Sequence, residues 1–229
     1  MSSMSARLAE LRKLVQLSPP KCLAYVKQHA ERGNPQSVID TIDKFCTKVP
    51  MMNIGRPKGA FIDECIRQTK PLVMAELGGY SGYSAVRFAS MQKQVVGPEA
   101  HYYSFEYSPE FAEIVREMVA FAGLSNNVTV VTGAFADQYE TIKDKTVGIY
   151  FIDHEKTCYV NDAKLIINSG TLRKGSQLIA DNIFQPGATD YVAFMEDHSQ
   201  FVTMRNVVEW PSRDGGIVQD TVLVSEFQG

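Results

Sequence analysis

This 229-residue chain has no long apolar run, no excess of positive charge and no paired cysteines. Each absence closes off a class of function. The longest apolar stretches, Val147 to Ile152 and Met118 to Leu124, fall far short of the roughly 20 residues that a membrane-spanning helix needs. A net charge of -3 leaves no electrostatic footprint for nucleic acid, and no polybasic segment points to a membrane surface. The four cysteines, Cys22, Cys46, Cys65 and Cys158, are far apart and form no C-x-x-C pair. Free thiols in a reducing compartment are therefore expected, rather than a zinc or redox motif. The opening "MSSMSARLAELRKLVQ" lacks the apolar core and cleavage site of a signal peptide and reads as a short tail entering an amphipathic helix. A cytoplasmic location is expected.

What is present has two textures. Up to about residue 70, apolar residues recur at helical spacing in "KCLAYVKQHAERGN" and "PQSVIDTIDKFCTKV". A break at "PMMNIGRPKG" precedes a further helical stretch, "AFIDECIRQT". From residue 72, short β-branched or apolar runs alternate with helical ones. The strand candidates are "LVMAEL", "HYYSFEY", "NVTVVTG", "VGIYFID" and "SQLIAD". Between them lie "SAVRFASMQKQ", "SPEFAEIVREMVAFAGL", "QYETIKD" and "YVNDAKLIINSGTL". Such alternation predicts a parallel sheet covered on both faces. After it, "FVTMRNVVEW", the turn "SRDGG" and "IVQDTVLVSEF" read as an antiparallel hairpin at one side of the sheet. No linker divides residues 1–229, so one α/β domain is expected, with N-terminal helices over 1–70 and a sheet core over 71–229.

Open α/β sheets bind ligands at the carboxyl ends of their strands, so the residues at those ends matter most. The first strand ends in Glu76 and the glycines Gly78, Gly79 and Gly82 of "AELGGYSGYSAV". Their spacing is not that of a pyrophosphate cradle, and bulky Tyr80 lies within the turn. A nucleoside without phosphates fits better; a turn that only packs a helix is the alternative. The second strand ends in Glu106, an acid placed to accept hydrogen bonds from ribose hydroxyls. Asp153-His154 and Asp181-Asn182 end two more. Two carboxylates and an amide oxygen from adjacent strand ends make a hard-ligand set, suited to Mg²⁺ and poor for zinc. Helix capping is the competing account for Asp153 alone.

Taken in order, "QHAERGNPQSV", "MNIGRPKG", "ELGGYSGYSAVR", "MVAFAGL", "FIDHEK", "LRKGSQLIADN" and "PGATDY" resemble the magnesium- and S-adenosylmethionine-dependent catechol O-methyltransferases. The resemblance runs from about Cys22 to the C-terminus. It implies a Rossmann-like seven-stranded methyltransferase sheet with the last strand antiparallel and extra helices before it. It also implies roles. Ile54, Glu76, Gly78, Tyr80, Ser84, Glu106, Asp153 and His154 would bind the cofactor, with the backbone of the Gly78 turn against its methionine portion. Asp153, Asp181 and Asn182 would hold Mg²⁺. Lys156 would be the general base and Glu209 the acid holding the second catechol hydroxyl, while Asn182, Pro186 and Val208 complete the substrate site.

Some positions depart from the family pattern. Pro50 and Glu155 stand where aromatic side chains usually wall the catechol, which predicts a wider or more polar mouth. Phe135 and Ala136 replace polar groups facing adenine. The expected activity is methyl transfer to one hydroxyl of a Mg²⁺-chelated catechol, a small-molecule partner. Alternatives are an O-methyltransferase for a larger vicinal diol, a cofactor-binding homologue without catalysis, and, least supported by the glycine spacing, a nicotinamide dehydrogenase. Oligomeric state is not legible in the sequence.

Overall fold

The computed structural model describes the backbone of residues 2–211 and 215–229, and the side chains of 13–184, 187–211 and 215–229. Ser212, Arg213 and Asp214 of the expected hairpin turn, and the side chain of Pro186, lie outside the described residues. Seven strands form one sheet in the order β3-β2-β1-β4-β5-β7-β6. They are β1 (Val73–Leu77), β2 (His101–Glu106), β3 (Val128–Thr132), β4 (Ile149–Ile152), β5 (Gln177–Ala180), β6 (Phe201–Pro211) and β7 (Ile217–Phe227). The first five are parallel, and β7 runs antiparallel to both β5 and β6. Seven strands with the last one antiparallel is the arrangement that the family resemblance implied. The hairpin returns inward, so that β7 sits between β5 and the edge strand β6.

Side-chain alternation along the parallel strands sends successive residues to opposite faces, and each face carries its own core. Met74, Tyr102, Ile149 and Ile179 meet helices α1 (Ser2–His29), α2 (Pro35–Cys46), α3 (Gly55–Thr69), α4 (Tyr83–Val96) and α5 (Pro109–Phe121). Leu77, Tyr150, Ile152 and Ala180 meet α6 (Phe135–Gln138), α7 (Tyr159–Asn168) and α8 (Thr189–Glu196). Helix starts follow local chemistry. The Asn34 side chain accepts from Ser37 N at 3.1 Å, and Pro35 occupies the first turn of α2. Ser108 and Pro109 repeat the device at α5.

Three elements differ from the sequence reading. α3 begins inside the expected break "PMMNIGRPKG", because Pro57 falls in the first turn, where no N–H is needed. "QYETIKD" is shared between the end of α6 and a 3₁₀ turn at Tyr139–Ile142. α8 has no counterpart in the reading; its eight residues are too few for periodicity to stand out. α1 continues through Pro19 and Pro20. Pro19 cannot donate to the Val15 carbonyl, and the Tyr80 hydroxyl supplies that bond at 2.6 Å. Among the described residues, no helix is long and apolar enough to cross a membrane.

Candidate functional site

The structure explains why glycines cluster just after Glu76 at the end of β1. Gly78 has φ +103°, and a Cβ there would stand 2.5 Å from the Asp153 carbonyl oxygen. Only glycine lets β1 leave the sheet this close to the end of β4. Glu106, at the end of β2, then locks the turn. Its Oε2 accepts from the backbone N–H of Gly79 (3.0 Å) and of Tyr80 (2.8 Å), and its Oε1 from that of Ser108 (2.8 Å). Tyr80 itself is left-handed, with φ 47°. Glu76 lies beneath, fully buried, accepting from the Tyr102 hydroxyl at 2.8 Å and Ser104 Oγ at 2.5 Å. Burial pushes its carboxyl up to about 7, against the opposing hydrogen bonds.

Above the turn opens a cavity of about 880 Å³. Gly78, Tyr80, Ser84 and Glu106 line one end, and Ile54 closes over it from the start of α3. The Ile54 loop is tied to the turn, since Ser81 Oγ donates to Asn53 Oδ1 at 2.5 Å. Phe135 and Ala136 form part of the wall. His154 also lines it: one ring nitrogen bonds Asp162 at 2.7 Å, the ring stacks on Tyr159, and Nδ1 is buried without a partner.

The other end of the cavity is charged. Asp153, Lys156, Asp181 and Asn182 all line it. Lys156 Nζ donates to Asp153 Oδ1 at 3.0 Å and to Tyr159 Oη at 2.6 Å. The Tyr159 hydroxyl donates in turn toward the carbonyls of Ile152 (2.9 Å) and Asp181 (3.2 Å), bracing the ends of β4 and β5. Burial raises the Asp153 carboxyl to about 7, Lys156 opposes that shift, and Asp181 adds to it. Asn182 is held left-handed, at φ 55°, a conformation asparagine tolerates better than most residues.

Lys58, buried in the first turn of α3, joins this end. Its ammonium donates to both oxygens of Asp181, at 2.7 and 2.6 Å, and to Asp220 Oδ2 at 2.8 Å. Burial works against its charge, but Asp181 and Asp220 outweigh that and hold its pKa above the ordinary lysine value. Neither Lys58 nor Asp220 figured in the sequence reading. Lys58 was visible within "MNIGRPKG". Asp220 left only one trace, a single acid interrupting the apolar run "IVQDTVLV".

Three expected residues do not reach the cavity wall. Glu76 lies behind the turn, its carboxylate taken up by hydroxyls of β2. Val208 is half-buried against the core of the α1–α5 face. Glu209 is exposed and accepts from Gln219. The pleat accounts for this correction. Cross-strand partners share a face, Val208 pairs with Asp220, and Glu209 pairs with Gln219; the face carrying Asp220 toward Lys58 therefore turns Glu209 away.

Residues 75–183 match a family model described as a methyltransferase domain. Catechol O-methyltransferase of Mus musculus is 40% identical over 186 residues, covering 79% of this chain and 69% of that protein. Catechol O-methyltransferase B of Danio rerio is 36% identical over 212 residues, covering 90% and 79%. A crystal structure of an O-methyltransferase from Bacillus cereus in complex with SAH superimposes with a TM-score of 0.69 at 16% identity, over 85% of this chain and 90% of that one. That last likeness is one of fold.

Proposed function

The chain belongs to the catechol O-methyltransferase family, and on that premise we propose that it transfers a methyl group from S-adenosylmethionine to one hydroxyl of a catechol held beside Mg²⁺. One observation carries the reading. A nucleoside-sized cavity runs from a glycine turn locked by an acid to a cluster in which Asp153, Lys156, Asp181 and Asn182 meet.

The donor set fits a hard dication. Among the described residues no three His, Cys, Asp or Glu side chains make a metal-holding group, so the third ligand would be the Asn182 amide oxygen, beside Asp153 and Asp181. The buried ammonium of Lys58 against both oxygens of Asp181 marks a place that requires positive charge. The rise of Asp153 toward neutrality comes first from desolvation, with Lys156 opposing it and the neighbouring Asp181 adding to it. When bound, Mg²⁺ supplies Lewis acidity to vicinal hydroxyls and a template for them. S-adenosylmethionine supplies the electrophilic methyl.

The chain's own residues do the rest. Gly78, Tyr80, Ser84, Ile54 and His154 enclose the cofactor's side of the cavity, and Glu106 orients the turn while keeping a lone pair on Oε1 for a ribose hydroxyl. Lys156 receives the hydroxyl proton at Nζ, positioned by Asp153 and Tyr159. Holding donor and acceptor in one cavity supplies much of the rate. Glu76 acts from below, by fixing the strands that carry the turn. Pro186 remains assigned to the substrate wall; Glu209, on the outward face, is not.

The test is methyl transfer to a simple catechol, with and without a chelator. Loss in chelator and return with Mg²⁺ is expected; turnover that survives excess chelator defeats the metal assignment. A second reading, a larger vicinal diol, draws on Glu155, which is exposed and lines the cavity where a bulky aromatic would narrow it. A panel of diols of increasing size separates the two.

A further inference from the structure

We propose that Asp220 is the counter-ion that draws the Lys58 ammonium off Asp181, and thereby sets how tightly the site holds its dication. The inference rests on the reading of Asp153, Asp181 and Asn182 as metal ligands. An ammonium has three donors, and Lys58 spends them on both oxygens of Asp181 and on Asp220 Oδ2. Each Asp181 oxygen keeps a lone pair for a metal, but a dication there meets the Lys58 ammonium at close range and is held better the further Lys58 is drawn away. The Lys58 side chain is 8% exposed, so water cannot take over, and a buried ammonium stripped of its anion is costly.

Asp220 is the second anion that Lys58 touches, and it is built to stay there. Its Oδ1 accepts from the Thr221 backbone N–H at 2.7 Å, which fixes the carboxylate, while Asn182 Nδ2 approaches Oδ2 at 3.5 Å. The topology delivers it. Leu223 pairs with Ala180 at the last position of β5, so the preceding residues of β7 overhang the strand end that carries Asp181 and Asn182. The pairing agrees: Asp153 faces Lys156, while Asp181 and Asp220 share Lys58. Without Asp220, Lys58 belongs to Asp181 alone.

The experiment titrates the full-length protein with Mn²⁺ and reads free Mn²⁺ by electron paramagnetic resonance. It compares wild type, Asp220→Asn, Lys58→Met and the double variant. Asp220→Asn keeps the shape of the side chain and an acceptor for Thr221. It should bind Mn²⁺ about 10–100-fold more weakly, the range seen when a partner behind a metal ligand is lost. Lys58→Met should bind at least as tightly as wild type, and in that background Asp220→Asn should have little effect. S-adenosylhomocysteine binding without metal, which should be the same in all four, reports that the fold is intact. Wild-type Mn²⁺ affinity in Asp220→Asn overturns the inference, as does a full Asp220→Asn effect persisting with Lys58→Met, which would make Asp220 a direct ligand. If Asp220→Asn fails to fold, Lys58→Met against the double variant decides by the same criterion. A wild-type protein that takes up no Mn²⁺ overturns the metal site itself, and this inference with it.

Discussion

Replacing Gly78 by alanine tests whether the glycine turn exists because the backbone must crowd the site. Gly170, just past α7, provides the reference: its φ is +76°, and an added Cβ would meet nothing within 4 Å. Gly170→Ala therefore costs only left-handed strain, about 1–2 kcal/mol, less the roughly 0.4–1 kcal/mol gained from a stiffer unfolded chain. A net loss near 1 kcal/mol is expected. Gly78→Ala bears comparable strain at φ +103°, and its Cβ would stand 2.5 Å from the Asp153 carbonyl oxygen and 3.2 Å from His154 Cα. An ordinary carbon–oxygen contact is about 3.3 Å, so one strand end must give way by roughly 0.8 Å. Overpacking of that kind adds about 1–3 kcal/mol to the same net loss of about 1 kcal/mol, for a total of about 2–4 kcal/mol. In a domain of this size that lowers the melting temperature by roughly 5–15 °C. Urea unfolding of both variants measures the difference, and calorimetry with S-adenosylhomocysteine should show a clear loss of affinity in Gly78→Ala alone. If the two variants lose the same stability and both retain ligand, close approach of β1 to β4 is not what the glycine serves.

Three further predictions draw on separate parts of the site. Glu76 titrates near 7 in the fold because it is buried, and near 4.3 when unfolded. The folded state thus holds the extra proton between those values, and stability should fall as pH rises from about 4.5 to 7, by up to about 3 kcal/mol. Denaturation of Glu76→Gln across that range should lack this slope, and a wild-type slope of the opposite sign would refute the assignment. Lys156→Met should lower kcat by about 10²–10⁴ with little change in cofactor affinity; unchanged turnover removes it as the base. Tyr80→Phe leaves the Val15 carbonyl without its donor, opposite a proline that has none to offer. A loss of about 1–3 kcal/mol is expected, with faster amide exchange in α1, and unaltered exchange there would mean that the bond does not brace the helix.

What could be read in advance was whatever a single element declares. The five parallel strands announce themselves by apolar runs, and their ends by the acids that follow, so Asp153, Asp181, Asn182 and Glu106 were all legible as oxygen-bearing side chains at one crest of the sheet, where they line one cavity. Gly78 was legible as a backbone demand, though not its cause, since Asp153 is 75 residues further along. Lys58 and Asp220 were hidden for the same reason. Each is an unremarkable charge in its own segment, and only packing of α3 and β7 against the end of β5 turns the pair into one ionic cluster. Glu209 misled because the register of a hairpin, not its residue types, decides which acid faces inward.

That register matters because a parallel strand can present its end to the crest of the sheet only once. The parallel strands reach the crest with one or two residues each, and those positions are already taken by the turn, Glu106, Asp153-His154 and Asp181-Asn182. An antiparallel strand crosses the same crest in mid-course. β7 pairs with β5 over Leu223–Glu226 and continues past it toward Ile217, so an inward residue shortly before Leu223 stands beyond the end of β5 while its backbone stays paired with β6. Asp220 is that residue. Changes at position 220 should accordingly alter metal affinity and, by leaving the buried Lys58 ammonium short of an anion, cost some folding stability, but less than changes at Asp153 or Asp181, which stand at the strand ends themselves; denaturation and Mn²⁺ titration of the same variants would separate the two, and equal destabilisation at all three positions would show the crest to be a single indivisible unit.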